Sequence, residues 1–208
     1  MMKKTAIVLF NLGGPDNLAA VEPFLYNLFS DAAIIRLPAL FRQMLARLIS
    51  RGRAKTAQGI YAKIGGRSPI LENTQAQARA LEKELAATGP VKCFVAMRYW
   101  HPFADETVRE VQNFAPDEII LLPLYPQFST TTTASSFRSW NKAARKAKLK
   151  IPTRRICCYP DEAGFIRSMA QSIHTAFQQA SAHGKPRILF SAHGLPEKIV
   201  KAGDPYQF

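Results

Sequence analysis

Short apolar runs, each closed by a turn and followed by a helical stripe, recur through residues 1–160, and this alternation restricts the available folds more than any other feature of the chain. Residues 6–10, 91–97, 118–122 and 153–158 each read as a strand. Between them lie segments with apolar residues three and four apart, the spacing of a helix with one buried face. Strands separated by helices cannot be joined as hairpins; they must run parallel, with right-handed crossovers covering the sheet. The expected fold is therefore α/β: a doubly wound, four-stranded parallel sheet with helices on both faces. A long helix from Asp161 to Gly184 and a further strand at 187–192 then begin a second, similar unit. The domain boundary is placed at 160, giving 1–160 and a truncated 161–208.

The first turn, Asn11-Leu-Gly-Gly-Pro15, follows a strand and precedes a helix, the place where a phosphate loop would stand. Its chemistry does not suit phosphate. Neither GxGxxG nor GxxxxGK[ST] is present, and Pro15 removes one of the N–H donors such loops aim at the anion. Before the second strand come two successive helices, one carrying Val21, Phe24, Leu25 and Leu28, the other basic and amphipathic from Ala39 to about Ser50, where Gly52 is expected to interrupt it. Such a pair is unusual in a simple βαβ unit and suggests an inserted lip or lid. A second Gly-Gly turn, at 64–69, either brings backbone close to a flat ligand or is an ordinary turn.

Charge is uneven. The net +13 is concentrated where acids are absent: residues 32–71, with Arg36, Arg42, Arg47, Arg51 and Arg53 among Leu37, Leu40, Phe41, Met44 and Leu48, and residues 119–160. Such surfaces attract anions, whether small carboxylates, anionic lipid or nucleic acid. The aromatic and basic residues follow no nucleic-acid module, so no nucleic-acid partner is expected. The amphipathic first run is expected to rest peripherally on anionic membrane. The three cysteines, Cys93, Cys157 and Cys158, are too few and wrongly spaced for a disulfide framework or zinc site and are expected to stay reduced, with Cys157 and Cys158 read as packing residues. The N-terminal apolar run is too short for a signal-peptide core, so a cytoplasmic location is expected.

Among four histidines, His193 stands out, because the strand at 187–192 delivers it to a carboxyl end, the edge of an open α/β sheet where ligands bind.

Seven segments together resemble the ferrochelatases, which insert ferrous iron into protoporphyrin IX at the end of haem synthesis. They are Asn11-Leu-Gly-Gly-Pro15, Phe24-Leu-Tyr-Asn-Leu-Phe-Ser-Asp31, Tyr61-Ala-Lys-Ile-Gly-Gly-Arg-Ser-Pro69, Arg98-Tyr-Trp-His-Pro102, Leu122-Pro-Leu-Tyr-Pro-Gln-Phe-Ser129, Ser191-Ala-His-Gly-Leu-Pro196 and Gly203-Asp-Pro-Tyr206. The resemblance implies two similar Rossmann-like domains of the chelatase type with the porphyrin between them. It makes residues 18–53 a lip over the porphyrin and His193 the active-site histidine, which accepts a pyrrole proton or ligates the metal. It also puts Leu12, Arg53, Tyr61 and Ser68 at positions that touch the macrocycle or its propionates. Those residue types suit a large apolar disc with two carboxylates at its rim.

Fe²⁺ then enters as substrate, with no tightly bound cofactor. Some relatives carry an iron–sulfur cysteine just after the Phe-Ser pair; Thr130 stands there, so no cluster is expected. The partner carboxylate of the family's second domain lies downstream of Phe208. The chain is thus expected to be an incomplete, inactive or weakly active N-terminal portion, with a non-catalytic porphyrin- or haem-binding half-domain as the alternative.

Overall fold

The computed structural model describes residues 2–207. Four strands form one sheet, β1 (Thr5–Asn11), β2 (Val91–Met97), β3 (Glu118–Pro123) and β4 (Thr153–Arg155), in the order β2-β1-β3-β4. All pairings are parallel, with Ile7 opposite Cys93 on one side and Ile120 on the other. The helices are α1 (Val21–Phe29), α2 (Ala39–Ala62), α3 (Ile70–Leu85), α4 (Ala104–Phe114), α5 (Thr133–Lys146), α6 (Ala163–Ser181) and the short α7 (Glu197–Lys201). This is the Rossmann-like, doubly wound architecture that the alternating pattern requires.

The central strand shows why the apolar runs do not alternate with polar residues. Ala6, Val8 and Phe10 face α4 and α5, where they join Val108, Val111, Trp140 and Ala143 in one core. Ile7 and Leu9 face α3 and pack with Ala78, Leu81 and Leu85 in the other. A strand buried on both faces needs an apolar side chain at every position. Phe10 meets both Phe137 and Trp140 edge-on, with ring centroids 5.7 and 6.0 Å apart. Cys93 lies in the α3-side core, where burial and then the nearby Glu82 charge push its thiol up to about 12.

By contact the chain divides into two units: Met1–Tyr125 with Thr130–Cys157, and Pro126–Ser129 with Cys158–Phe208. The sheet belongs to the first. In the second, Glu162 rather than Asp161 caps α6, its carboxylate accepting the Phe165 N–H at 2.8 Å. The α6 stripe forms as its periodicity requires, yet Ile166, Met169 and Phe177 remain exposed and no residue of the helix is buried.

Three local expectations are corrected. Gly52 does not end α2, which continues unbroken to Ala62. Ala46, Ser50 and Ala54 pack its inner face on α1, which offsets the roughly 1 kcal/mol that a helical glycine costs, and Gly52 itself faces open space. Residues 187–192 form no strand; Leu189 and Phe190 are 84% and 83% exposed, since among the described residues no neighbouring strand supplies the ladder on which an extended segment depends. Finally, β4 stops at Arg155, and Cys157 and Cys158 are exposed rather than packed. A three-residue edge strand has one paired side, so the pattern beyond it lacks a core to enter.

The α1–α2 junction is tied to the sheet through one carboxylate. Asp31 Oδ2 accepts hydrogen bonds from the Arg98 guanidinium (2.8 Å), the Tyr99 phenol (2.9 Å) and the Ser135 hydroxyl, and Oδ1 accepts the Ala33 N–H (2.9 Å). Burial alone would raise its pKa. The Ala33 N–H, the Ser135 hydroxyl, the Arg98 charge and the Tyr99 phenol outweigh burial and hold it below the ordinary 3.8.

A carboxyl depressed in the folded state stabilises the fold fully above its unfolded pKa and loses that contribution as pH falls through the folded value. Asp31→Asn is therefore expected to cost about 3 kcal/mol near neutral pH, because Arg98 loses its charge partner. The gap to wild type should close on acidification below about pH 4, which urea titrations at a series of pH values would reveal. A gap that is constant with pH would refute the charge argument.

Candidate functional site

At the carboxyl end of β1 the chain turns through Leu12, Gly13, Gly14 and Pro15, and three other segments close on that turn. Asn11 begins it: its side-chain oxygen accepts the Leu12 N–H at 2.8 Å, and its amide donates to the Thr74 hydroxyl at 3.0 Å, fastening β1 to the first turn of α3. From β2, the Arg98 N–H donates to the Asn11 carbonyl and the Tyr99 N–H to the Leu12 carbonyl, both at 2.9 Å. Gly13 has a φ of +84° and lies against β2, where a Cβ would come within 3.0 Å of the Trp100 nitrogen. Conformation and space both require glycine there.

The third segment carries Ser68. Its N–H donates to the Pro15 carbonyl at 2.8 Å, and a Cβ on Gly14 would lie 2.5 Å from the Ser68 side chain. The second Gly-Gly turn is thus pressed against the first. The end of α2 is held here too, because the Gln58 amide donates to the Leu18 carbonyl at 3.0 Å. Tyr61, in the last turn of α2, accepts the Gly66 N–H at its carbonyl at 2.8 Å, and burial raises the pKa of its half-buried phenol.

The sequence-derived site residues of the first unit fall into two places. Leu12 and Ser68 share the β1 turn, and Tyr61 sits on the helix end fastened to it. Arg53 lies eight residues before Tyr61, about 12 Å back along α2. It is exposed, its guanidinium 5.9 Å from the Phe29 ring centre, and among the described residues it has no ion-pair partner. His193 belongs to the second unit, on the exposed segment that precedes α7. Among the described residues no group of three or more His, Cys, Asp or Glu side chains could hold a metal ion.

Sequence reading missed the bonds between the motifs. Asp31, last residue of one, is bonded to Arg98 and Tyr99 of another, and the Asn27 amide donates to the Tyr99 carbonyl at 3.1 Å. In the second unit the Ser129 hydroxyl donates to Asp204 at 3.0 Å, joining motifs 75 residues apart, while Asp204 also accepts the Tyr206 N–H. Asp204 is almost completely buried, and burial of a carboxylate was the available signal only once the fold was known.

Comparison with known proteins gives a consistent result. The ferrochelatase family model matches residues 4–208. The chain is 57% identical over 207 residues to the ferrochelatase of Phenylobacterium zucineum, covering 98% of this chain and 60% of that protein. It is 55% identical over 210 residues to the ferrochelatase of Caulobacter vibrioides, covering all of this chain and 60% of that protein. With the ferrochelatase of Wolbachia pipientis wMel the identity is 54% over 205 residues, 98% of this chain and 65% of the relative. The chain thus spans about three-fifths of the length of the curated relatives it matches.

Contact between the two glycine turns gives a direct test. Gly14→Ala forces a methyl group into the Ser68 side chain and is expected to cost about 1–3 kcal/mol. Ser68→Gly should recover most of that loss when combined with it, and denaturant unfolding of the two single variants and the double would measure the coupling. Additive effects would mean that the turns do not press on each other.

Proposed function

This chain belongs to the ferrochelatase family, and from that premise we propose that it forms the N-terminal, porphyrin-holding portion of an enzyme that inserts Fe²⁺ into protoporphyrin IX to give protohaem. The observation that carries the proposal is the convergence of Leu12, Ser68 and the Tyr61 end of α2 on one glycine turn at the carboxyl edge of the sheet. Residues 161–208 are the beginning of a second Rossmann-like domain.

Each residue has a role that its chemistry suits. Leu12 and Tyr61 supply apolar wall for the macrocycle, Ser68 a hydroxyl at its edge, and Arg53, which has no ion-pair partner among the described residues, a cation for a propionate. Residues 18–53 lie over the ring as a lip. Metal insertion exchanges two pyrrole protons for one Fe²⁺. A neutral His193 imidazole accepts the first of these protons or ligates the entering metal, but one ring nitrogen cannot do both, so the second proton needs another base. Iron is substrate throughout; no tightly bound cofactor and no iron–sulfur cluster take part, Thr130 standing where such a cysteine would be.

The exposed face of α2 supports peripheral attachment to anionic membrane from the cytoplasmic side. Leu40, Phe41, Met44 and Leu48 lie along it, Phe41 61% and Leu48 71% exposed, with Arg36, Arg42, Arg47 and Arg51 close by in sequence. Apolar side chains backed by arginines suit an interfacial helix. Among the described residues no helix is long and apolar enough to cross a membrane.

A narrower reading, that the 208-residue chain holds porphyrin without metallating it, is favoured by the exposure of His193 and the absence of co-ligands among the described residues. Fluorescence titration with protoporphyrin is expected to show binding that Arg53→Ala weakens about fivefold, the worth of one exposed ion pair near 1 kcal/mol. No binding would refute the porphyrin assignment. Zn²⁺ or Fe²⁺ insertion at the rate of a full-length relative, lost in His193→Ala, would overturn the claim that the chain is inactive. Vesicle co-sedimentation should rise with anionic lipid and fall in Phe41→Asp/Leu48→Asp; indifference to lipid charge would exclude the membrane proposal.

A further inference from the structure

The second basic run, residues 119–160, plays no part in the proposed chemistry, yet the fold shapes it into an open groove of about 620 Å³ between α5 and the edge strand β4. Arg138, Asn141, Lys142 and Arg145 recur at helical spacing along one face of α5, and Thr153 and Arg155 form the opposite wall. No carboxylate lines the groove. The contrast between two adjacent arginines matters here. Arg154 is paired with Glu118 at 3.1 Å, whereas Arg155 turns to the groove, donates to the Asn141 side-chain oxygen at 3.2 Å and rests over the Phe137 ring. Arg145 and Arg138 likewise each spend one N–H, on the carbonyls of Asn141 and Thr130 respectively. Each guanidinium is thus held by the protein and keeps several donors for a ligand.

Four cations in one groove, spread over about 10 Å of helix, repel one another, and a single monoanion would relieve little of that. We infer that this groove binds a chain of linked phosphates, inorganic or carried by a nucleotide, with Arg138, Lys142, Arg145 and Arg155 as its ligands. Guanidinium forks match phosphate oxygens, and the volume falls within the roughly 300–1,000 Å³ range of small-molecule sites. Lipid phosphate is the poorer fit, because α5, unlike α2, presents no exposed large apolar side chain among the described residues.

Calorimetric titration of the 208-residue chain with tripolyphosphate, ATP and orthophosphate, in about 150 mM salt to screen the general field, tests this. Tripolyphosphate and ATP are expected to bind roughly tenfold or more tighter than orthophosphate, and Arg145→Gln/Arg155→Gln to weaken both roughly tenfold. Preference for ATP over tripolyphosphate would identify a nucleotide, and equality the inorganic chain. Lys146→Gln/Lys150→Gln removes the same charge outside the groove and should leave binding within about twofold. Equal losses from the two double variants, no binding of either oligophosphate, or groove-dependent binding confined to phosphatidylglycerol vesicles or single-stranded RNA would each overturn the assignment.

Discussion

One buried carboxylate holds the inserted helices to the sheet. A charge taken out of water is tolerated only when its oxygens are satisfied, and Asp31 receives one N–H from its own loop, one guanidinium and one phenol from the end of β2, and one hydroxyl from α5. Three elements distant in sequence are brought to a single point. Besides it, α1 and α2, which pack principally on each other, reach the segment after β2 through the Asn27 amide on the Tyr99 carbonyl. The α1–α2 pair is thus tied to the end of β2 and to α5 by polar contacts.

The rest of the first unit follows from the double burial of β1. Because both faces are filled, the only free end of that strand is its carboxyl end, and the turn there becomes the meeting place of β2, α3 and the loop carrying Ser68. The glycines are a consequence of crowding: Gly13 lies against the Trp100 backbone and the Met97 side chain, Gly14 against Ser68. A turn crowded this way has little room to shift, and it has a proline where a phosphate loop would need a donor.

Local features were legible in the sequence, and distant pairings were not. Periodicity of two faces and of 3.6 residues identified the parallel sheet and most helices because burial acts on every residue of those elements. It failed at Gly52, where packing of α2 on α1 overrides local propensity, and at residues 187–192, where an apolar run lacks a strand to pair with. For the candidate site, the types and order of the motif residues proposed Leu12, Tyr61 and Ser68, and the fold gathers these three around the β1 turn. Nothing local could reveal that Asp31 meets Arg98 or that Ser129 meets Asp204, because a hydrogen bond across 67 or 75 residues leaves no period in the chain. An aspartate just after a helix reads as an ordinary surface residue until the fold buries it.

The exposure of Leu189 and Phe190 also bears on how long the molecule would last in a cell. Chaperones and proteases recognise extended, apolar, unpaired backbone, and this stretch offers it beside a helix whose own apolar stripe is uncovered. The first unit exposes apolar side chains too, Leu40, Phe41, Met44 and Leu48 among them, but on α2, whose backbone is already hydrogen-bonded within the helix. The 208-residue chain is therefore expected to be cleaved first within these residues, before its sheet opens.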